Sequence, residues 1–398
     1  MIAISVLLLA GPADSAPVVL NWMLTVDTDK PLWEQLAADF HQQHPDIDVH
    51  ITWVATGQYQ NKLKTLIAAN QSPDLFYCSD VWVAYLLPAL YDLTDFINRD
   101  TKEIDLDDFY PELLADCRHN GRYYYLPRWF NLALLYYNKK LFTEKGVAFP
   151  TANWTWDDYL KAAQQLPGTE ITLGWWNEWL TFVRQAGGDL FSADLSHCTL
   201  DTPAAMTGLQ FYRDHIWKYK IAPAPGYGPA NGFASGKMAM LLGGHVLMWP
   251  VYNQIPGLDW DIQVLPAGPK SRRGGTMNVE AFGIAKTCRD PEAAWALLKF
   301  ITSKAGIRRQ VQAGHFSVRK SVTNELHSPA NIRAVYDALR DAEPLPRSPD
   351  FLALALDVIQ PEIDLMMENK QDVATTARRA TDAANAFLRV LGQTGERH

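Results

Sequence analysis

With 398 residues, 48% of them hydrophobic and 20% charged, the chain has the composition of a globular protein large enough for two domains. Its formal net charge of −8 argues against a nucleic-acid binder, which needs a basic face to neutralise phosphates. Beyond the first ten residues no apolar run is long enough to cross a bilayer.

In chain order, Ile2 to Ala10 is apolar and is followed by Gly11-Pro12-Ala13-Asp14-Ser15-Ala16. Residues 1–16 therefore read as an export signal with a small-residue cleavage zone, and no Cys follows to accept a lipid. Val18 to Trp22 reads as a strand, Pro31 to Phe40 as a helix, and Ile47 to Val54 alternates with period two as a second strand. A helix over 59–69, closed by Asn70-Gln71-Ser72-Pro73, leads to a short buried strand at Leu75 to Cys78. This alternation predicts a parallel α/β sheet. Ligands of such sheets lie beyond the carboxyl ends of the strands, which directs attention to Trp22–Thr25, Ala55–Gln58 and Ser79–Trp82.

The apolar stretch Leu132 to Tyr137 reads as a strand that passes into a helix at Asn138. Thr155 and Asp158 have the spacing of a capping box, and Pro291 opens a helix at its first turn. Short strands are expected at 238–242, 264–266 and 282–285, and helix from Pro361 to the end. The four cysteines, Cys78, Cys117, Cys198 and Cys288, form no CxxC, and their three possible pairings are left open.

The sequence carries no complete catalytic or metal-binding motif of the common kinds. Gly232 to Met238 is one residue short of a phosphate loop and has Met238 where a magnesium-holding Ser or Thr belongs. His41 and His44 lack a third ligand and read as solvated helix-end residues. No HExxH or Gly-x-Ser-x-Gly is present. No catalytic residue, metal or cofactor is expected. The chain contains 14 Trp, 16 Tyr and 16 Phe, more rings than one core accommodates, and some should line a ligand cleft beside polar residues.

The chain resembles the family 1 extracellular solute-binding proteins, the group of maltose-binding and related receptors. The resemblance rests on Ser72-Pro73-Asp74-Leu75, Tyr124-Tyr125-Leu126-Pro127 and Leu135 to Phe142. It continues through Trp154 to Asp158, Gln185 to Phe191, Phe233 to Met240, and Pro291 to Trp295, in that order and spacing. It implies a periplasmic-binding-protein fold of two α/β lobes joined by a hinge of several crossings, with a ligand cleft between them. Residues 17–127 plus 262–312 would form one lobe, and 128–261 plus 313–398 the other. It further implies the carbohydrate receptor of an ABC importer, monomeric and periplasmic, delivering sugar to a membrane permease and catalysing nothing.

A sugar offers apolar C–H faces to aromatic rings and hydroxyls to carboxylates, amides and guanidinium groups. The candidate contacts are Asp80 and Trp82 after the third strand, and Arg128 and Trp129 at the first expected crossing. The cluster Trp175, Trp176, Asn177 and Glu178 follows, then Trp249 where relatives place a stacking ring, and Glu280 before the returning strand. Trp22, Gln58 and Arg347 complete the set. Part of the family has an aromatic near 352–356, where this chain offers only Phe351, a departure that speaks against a long malto-oligosaccharide. Two alternatives stand beside this reading. One is a glycerol-phosphate-type anion clamped by Arg128 with Arg184 or Arg319. The other is a secreted glycosidase with two carboxyls about 5–10 Å apart.

Overall fold

The first two expected strands form a parallel pair, β1 (Val18–Val26) and β2 (Ile47–Ala55), in register from Val18 opposite Ile47 to Val26 opposite Ala55. The computed structural model describes residues 16–26, 30–172, 178–224, 232–243, 249–346 and 351–394. The two strands are joined by α1 (Lys30–Gln43), which buries Trp33, Leu36, Ala37 and Phe40, the one-face spacing of an amphipathic helix. Next, α2 (Thr56–Ala68) returns the chain to β3 (Leu75–Ser79), parallel to β1, and α3 (Asp80–Leu86) follows directly.

A small hairpin, β4 (Arg118–His119) and β5 (Arg122–Tyr123), turns at Asn120-Gly121. Both turn residues have positive φ, 49° and 82°, as a two-residue hairpin loop requires. Two strands then run almost without a break, β6 (Tyr125–Leu132) and β7 (Leu134–Asn138), with only Ala133 between them. They belong to different sheets. The first sheet has the order β12-β11-β3-β1-β2, with β6 also paired to β11; β11 is Thr276–Ile284 and β12 is Glu343–Pro344. The second has the order β10-β7-β9-β8, with β8 at Thr169–Thr172, β9 at Met240–Gly243 and β10 at Trp260–Gln263.

The buried side chains form three clusters: a first on the first sheet, a second on the second sheet, and the largest drawing on both. Trp22, Trp33 and Phe282 meet edge to face, their ring centroids 5.3–5.5 Å apart, in a cluster with Phe40 and Trp295. Burying a side chain of this size stabilises by about 1.5–3 kcal/mol. In β7, Leu135 and Tyr137 face one core while Leu134 and Tyr136 face another, so this central strand is buried on both sides. The Asn138 side chain accepts the Leu141 N–H at 3.3 Å and caps the next helix. Thr155 and Asp158 form the expected capping box, and Pro291 is in the first turn of the helix Pro291–Thr302.

Sheet membership differs from the sequence-based boundaries in two places. β6 stays paired with β11 as far as Leu132 opposite Met277, so the first change of sheet falls at Ala133 and not after residue 127. β10 pairs antiparallel with β7 in the second sheet, so the return to the first sheet comes after Gln263 and not before residue 262. The strand expected at 264–266 is irregular chain that follows β10. All four cysteines are free thiols, Cys78, Cys117 and Cys198 being buried, and burial pushes the Cys288 thiol up to about 12.

In the second cluster His215 lies wholly buried on the helix Pro203–Trp217, packed on Phe182 and Phe211. Its Nδ1 donates to the Phe211 carbonyl at 2.7 Å, and Nε2 has no hydrogen-bond partner. Burial pulls its pKa down from 6.5 to about 4. Between those values only the unfolded chain takes up the proton, so stability present above pH 6.5 is lost as the pH falls towards 4. The full window corresponds to about 3 kcal/mol. Urea unfolding followed from pH 7 to pH 4 is expected to show this decline in the wild type and a shallower one in His215→Met.

Candidate ligand-binding site

The carboxyl end of β3 is where three strands meet. Glu280 of β11 lies opposite Ser79, the last residue of β3, and on its other side opposite Trp129 of β6. The register between β6 and β11 slips at this point: Glu280 faces Trp129, but Ala281 faces Pro127. Arg128 is therefore the extra residue of a β-bulge, a device that re-aims a side chain out of the regular pleat.

The bulge delivers the Arg128 guanidinium into a ring cage. Its central carbon lies 5.1–5.5 Å from the ring centroids of Trp33, Tyr77, Trp129 and Phe282. Only 5% of Arg128 and 6% of Glu280 is exposed. Aromatic faces stabilise a desolvated cation by roughly 2 kcal/mol. Around this pair, Asn278 Nδ2 donates to Ser79 Oγ at 2.9 Å. Tyr59, at the start of α2, donates its hydroxyl to the Met23 carbonyl at 3.0 Å and accepts the Tyr77 N–H at 2.9 Å. Burial above all pushes the Tyr59 hydroxyl well above its ordinary pKa; Cys78 and Glu280 add to this and Arg128 opposes it.

Buried rings continue towards the second sheet. The Trp129 ring meets His315 edge to face at 5.0 Å, and Phe130 packs on Phe316 at 5.3 Å. Phe316 in turn meets Trp249 at 4.5 Å, beside Tyr136, Tyr252 and Trp260. A buried acid, a guanidinium, an amide and hydroxyl groups, set among rings, match a neutral polyhydroxyl ligand better than an ionic one. Among the described residues no group of His, Cys, Asp and Glu is placed to hold a metal ion.

Of the residues picked from sequence, Arg128, Trp129 and Glu280 come together, and Gln58 is exposed on the first turn of α2, one residue before Tyr59. Two expectations give way. Trp22 is wholly enclosed by Trp33, Phe282 and their neighbours and is a packing residue, because its place on β1 turns it to the α1 face of the sheet. Trp249 is likewise enclosed, with its indole N–H donated to Tyr136 Oη at 2.9 Å, and it offers no free face for stacking. Asp80 and Trp82 follow Ser79 on α3, but their side chains lie outside the described residues. Trp175, Trp176, Asn177 and Arg347 also lie outside them, as does the side chain of Glu178.

The arginines proposed for an anion clamp are engaged elsewhere. Arg184 donates to Asp189 and to the carbonyls of Glu343 and Pro344; Arg319 donates to Asp108 and to the carbonyls of Ile104 and Thr302. Tyr59, Tyr77 and His315 were missed by sequence reasoning. A tyrosine next to Gln58, at the head of a helix after a strand, was a usable signal for the first; nothing local marked His315.

The profile of the bacterial extracellular solute-binding proteins matches residues 26–307, and the chain belongs to that family. It is therefore a solute-binding protein and not an enzyme. It is 24% identical over 346 residues to the maltotriose-binding protein of Pyrococcus abyssi, which spans 83% of this chain and 73% of that protein. Maltose-bound MalE3 of T. maritima has a TM-score of 0.79 to this structure at 25% identity, covering 94% of this chain and 100% of the other. The sugar-binding protein MalE of the phytopathogen Xanthomonas citri has a TM-score of 0.82 at 20% identity, covering 96% and 100%. The fold is that of the periplasmic binding proteins, as the resemblance implied.

Because Trp22 is a core ring, Trp22→Ala is expected to lower the unfolding free energy by about 3–5 kcal/mol, measured by urea titration.

Proposed function

We propose that this chain is the sugar-binding receptor of an ABC importer, holding a neutral mono- to oligosaccharide or polyol and handing it to a membrane permease. The observation that carries this reading is that Arg128, Trp129 and Glu280 come together on adjacent strands at the carboxyl end of β3, among aromatic rings. Arg128 and Glu280 can between them donate to and accept from vicinal hydroxyls, and flat rings beside them suit sugar C–H faces. The names of the relatives support the same class: one binds maltotriose, and another, 28% identical over 206 residues, is the arabinooligosaccharide-binding protein of Halalkalibacterium halodurans. Asp80, Trp82, Trp175, Trp176, Asn177, Glu178 and Arg347 remain proposed contacts, with Gln58 at the rim.

A phosphate ester is the weaker ligand, since Arg184 and Arg319 are bound to protein carbonyls and carboxylates and Glu280 would repel an anion. In this reading the receptor works in the periplasm as a monomer, lobe closure over the sugar being what the permease recognises.

A thermal-shift screen over mono-, di- and trisaccharides, polyols and glycerol phosphates tests the proposal. A neutral sugar is expected to raise the midpoint in proportion to the logarithm of its concentration and to be recovered uncleaved. Glu280→Gln is expected to weaken that sugar's binding by one to two powers of ten, about 1.5–3 kcal/mol for a hydrogen bond to a charged group. A shift with glycerol phosphates alone, or a cleaved sugar, would overturn the reading.

A further inference from the structure

The chain passes between the two sheets at Ala133 and between Val264 and Gly275, and β12 rejoins the first sheet after the helix Lys304–Gln312. Two side chains at the end of one helix hold the second of these passages and β12. The helix is Glu178–Gln185, which packs with the helix Pro203–Trp217 beside the second sheet.

Gln185 is buried, and its Nε2 donates to the carbonyls of Pro266 at 3.1 Å and Arg273 at 2.8 Å, bracketing the 266–273 turn; its Oε1 accepts Trp156 Nε1 at 2.7 Å. The same turn leaves no room for side chains. A Cβ on Gly268 would come within 2.4 Å of the Gln185 carbonyl oxygen, and one on Gly274, whose φ is +56°, within 2.8 Å of the Gln185 nitrogen. Arg184, 3% exposed, reaches the other way to β12. It donates to the carbonyls of Glu343 at 3.1 Å and Pro344 at 3.0 Å, and its Nε lies 3.5 Å from the Glu343 carboxylate. Arg272 of the turn pairs with that same carboxylate. Glu343 N–H donates to the Gly275 carbonyl at 2.9 Å, and Ala133 N–H donates to the Thr276 carbonyl at 3.1 Å, which ties both passages and β12 to one locus.

We propose that Arg184, Gln185 and Glu343 form the pivot on which the two lobes turn, setting the resting angle between them. These are positioning residues, remote from the Arg128–Glu280 pair. A buried guanidinium held by two carbonyls and a carboxylate resists sliding, because any displacement strands a desolvated charge. The Gly268 and Gly274 contacts leave the turn able to rotate about the helix end but not to separate from it. The inference rests on the two-lobed fold and not on the identity of the ligand.

Small-angle scattering of the full chain with no sugar present reads the resting angle directly. Arg184→Met and Glu343→Gln are each expected to shift the radius of gyration from the wild-type value while near-ultraviolet circular dichroism stays native. Arg184→Lys keeps the charge but not the planar fork and should shift it less. Lys140→Gln, which removes an exposed charge paired with Glu144, should leave it unchanged. If Arg184→Met and Glu343→Gln fold and scatter as wild type, the pivot is wrong. If neither folds, the cluster is a requirement of the fold and the proposal falls equally. Because no sugar enters the experiment, its failure is separable from failure of the sugar-binding reading.

Discussion

The structure around the candidate site depends on β11 being hydrogen-bonded along both edges, to β3 on one side and to β6 on the other. A strand buried on both edges has to satisfy every backbone group through its neighbours, so its register is fixed tightly. The one slip in that register, between Glu280 and Ala281, is what turns Arg128 inward. Without it Arg128 would alternate with its neighbours and face a different side of the sheet from the one its ring cage now occupies. A buried arginine is costly unless its charge is compensated, and here four aromatic rings surround the guanidinium.

The same constraint explains how the two sheets relate. β6 ends in the first sheet at Leu132 and β7 begins in the second at Leu134, so the chain changes sheet over a single alanine. Such a short link transmits orientation faithfully, and the line of rings from Trp129 through His315, Phe316 and Trp249 runs alongside it. The high tryptophan content is spent in two ways. Trp22, Trp33 and Trp295 consolidate the cluster on the first sheet, while Trp249 and Trp260 belong to the large cluster that draws on both sheets. Most of these rings are structural, and the surplus of aromatics over what one core needs reflects several buried clusters as much as a binding surface.

The scaffold was legible where local rules operate. Alternation marked β2, helical spacing marked α1, the Thr155–Asp158 pair marked a helix start, and Asn138 marked a strand-to-helix boundary. The position rule for open α/β sheets led to Ser79 and its neighbours, and family motifs led to Arg128, Trp129 and Glu280. The errors came from a residue's facing and from strand partnership. Trp22 sits in the middle of β1, and its side chain points to α1, because strand residues alternate between faces and the first sheet is covered on that side. Trp249 stands where a stacking ring was expected, but Tyr136 accepts its N–H and Phe316 covers it.

By itself the sequence determined the class of fold, the order of its strands and helices along the chain, the caps that begin and end them, and the acidic balance that disfavours polyanions. These are properties of neighbouring residues, and period, capping and composition report them directly. Tertiary structure alone decided that residues 128 and 280, far apart along the chain, stand on adjacent strands, and that β10 joins the second sheet. It also decided that Arg184, chosen as an anion clamp, holds β12 instead. Strand pairing and the burial of a long side chain depend on contacts between segments far apart in the chain. No local pattern encodes them, because the free energy that selects them is gained only when both segments are in place.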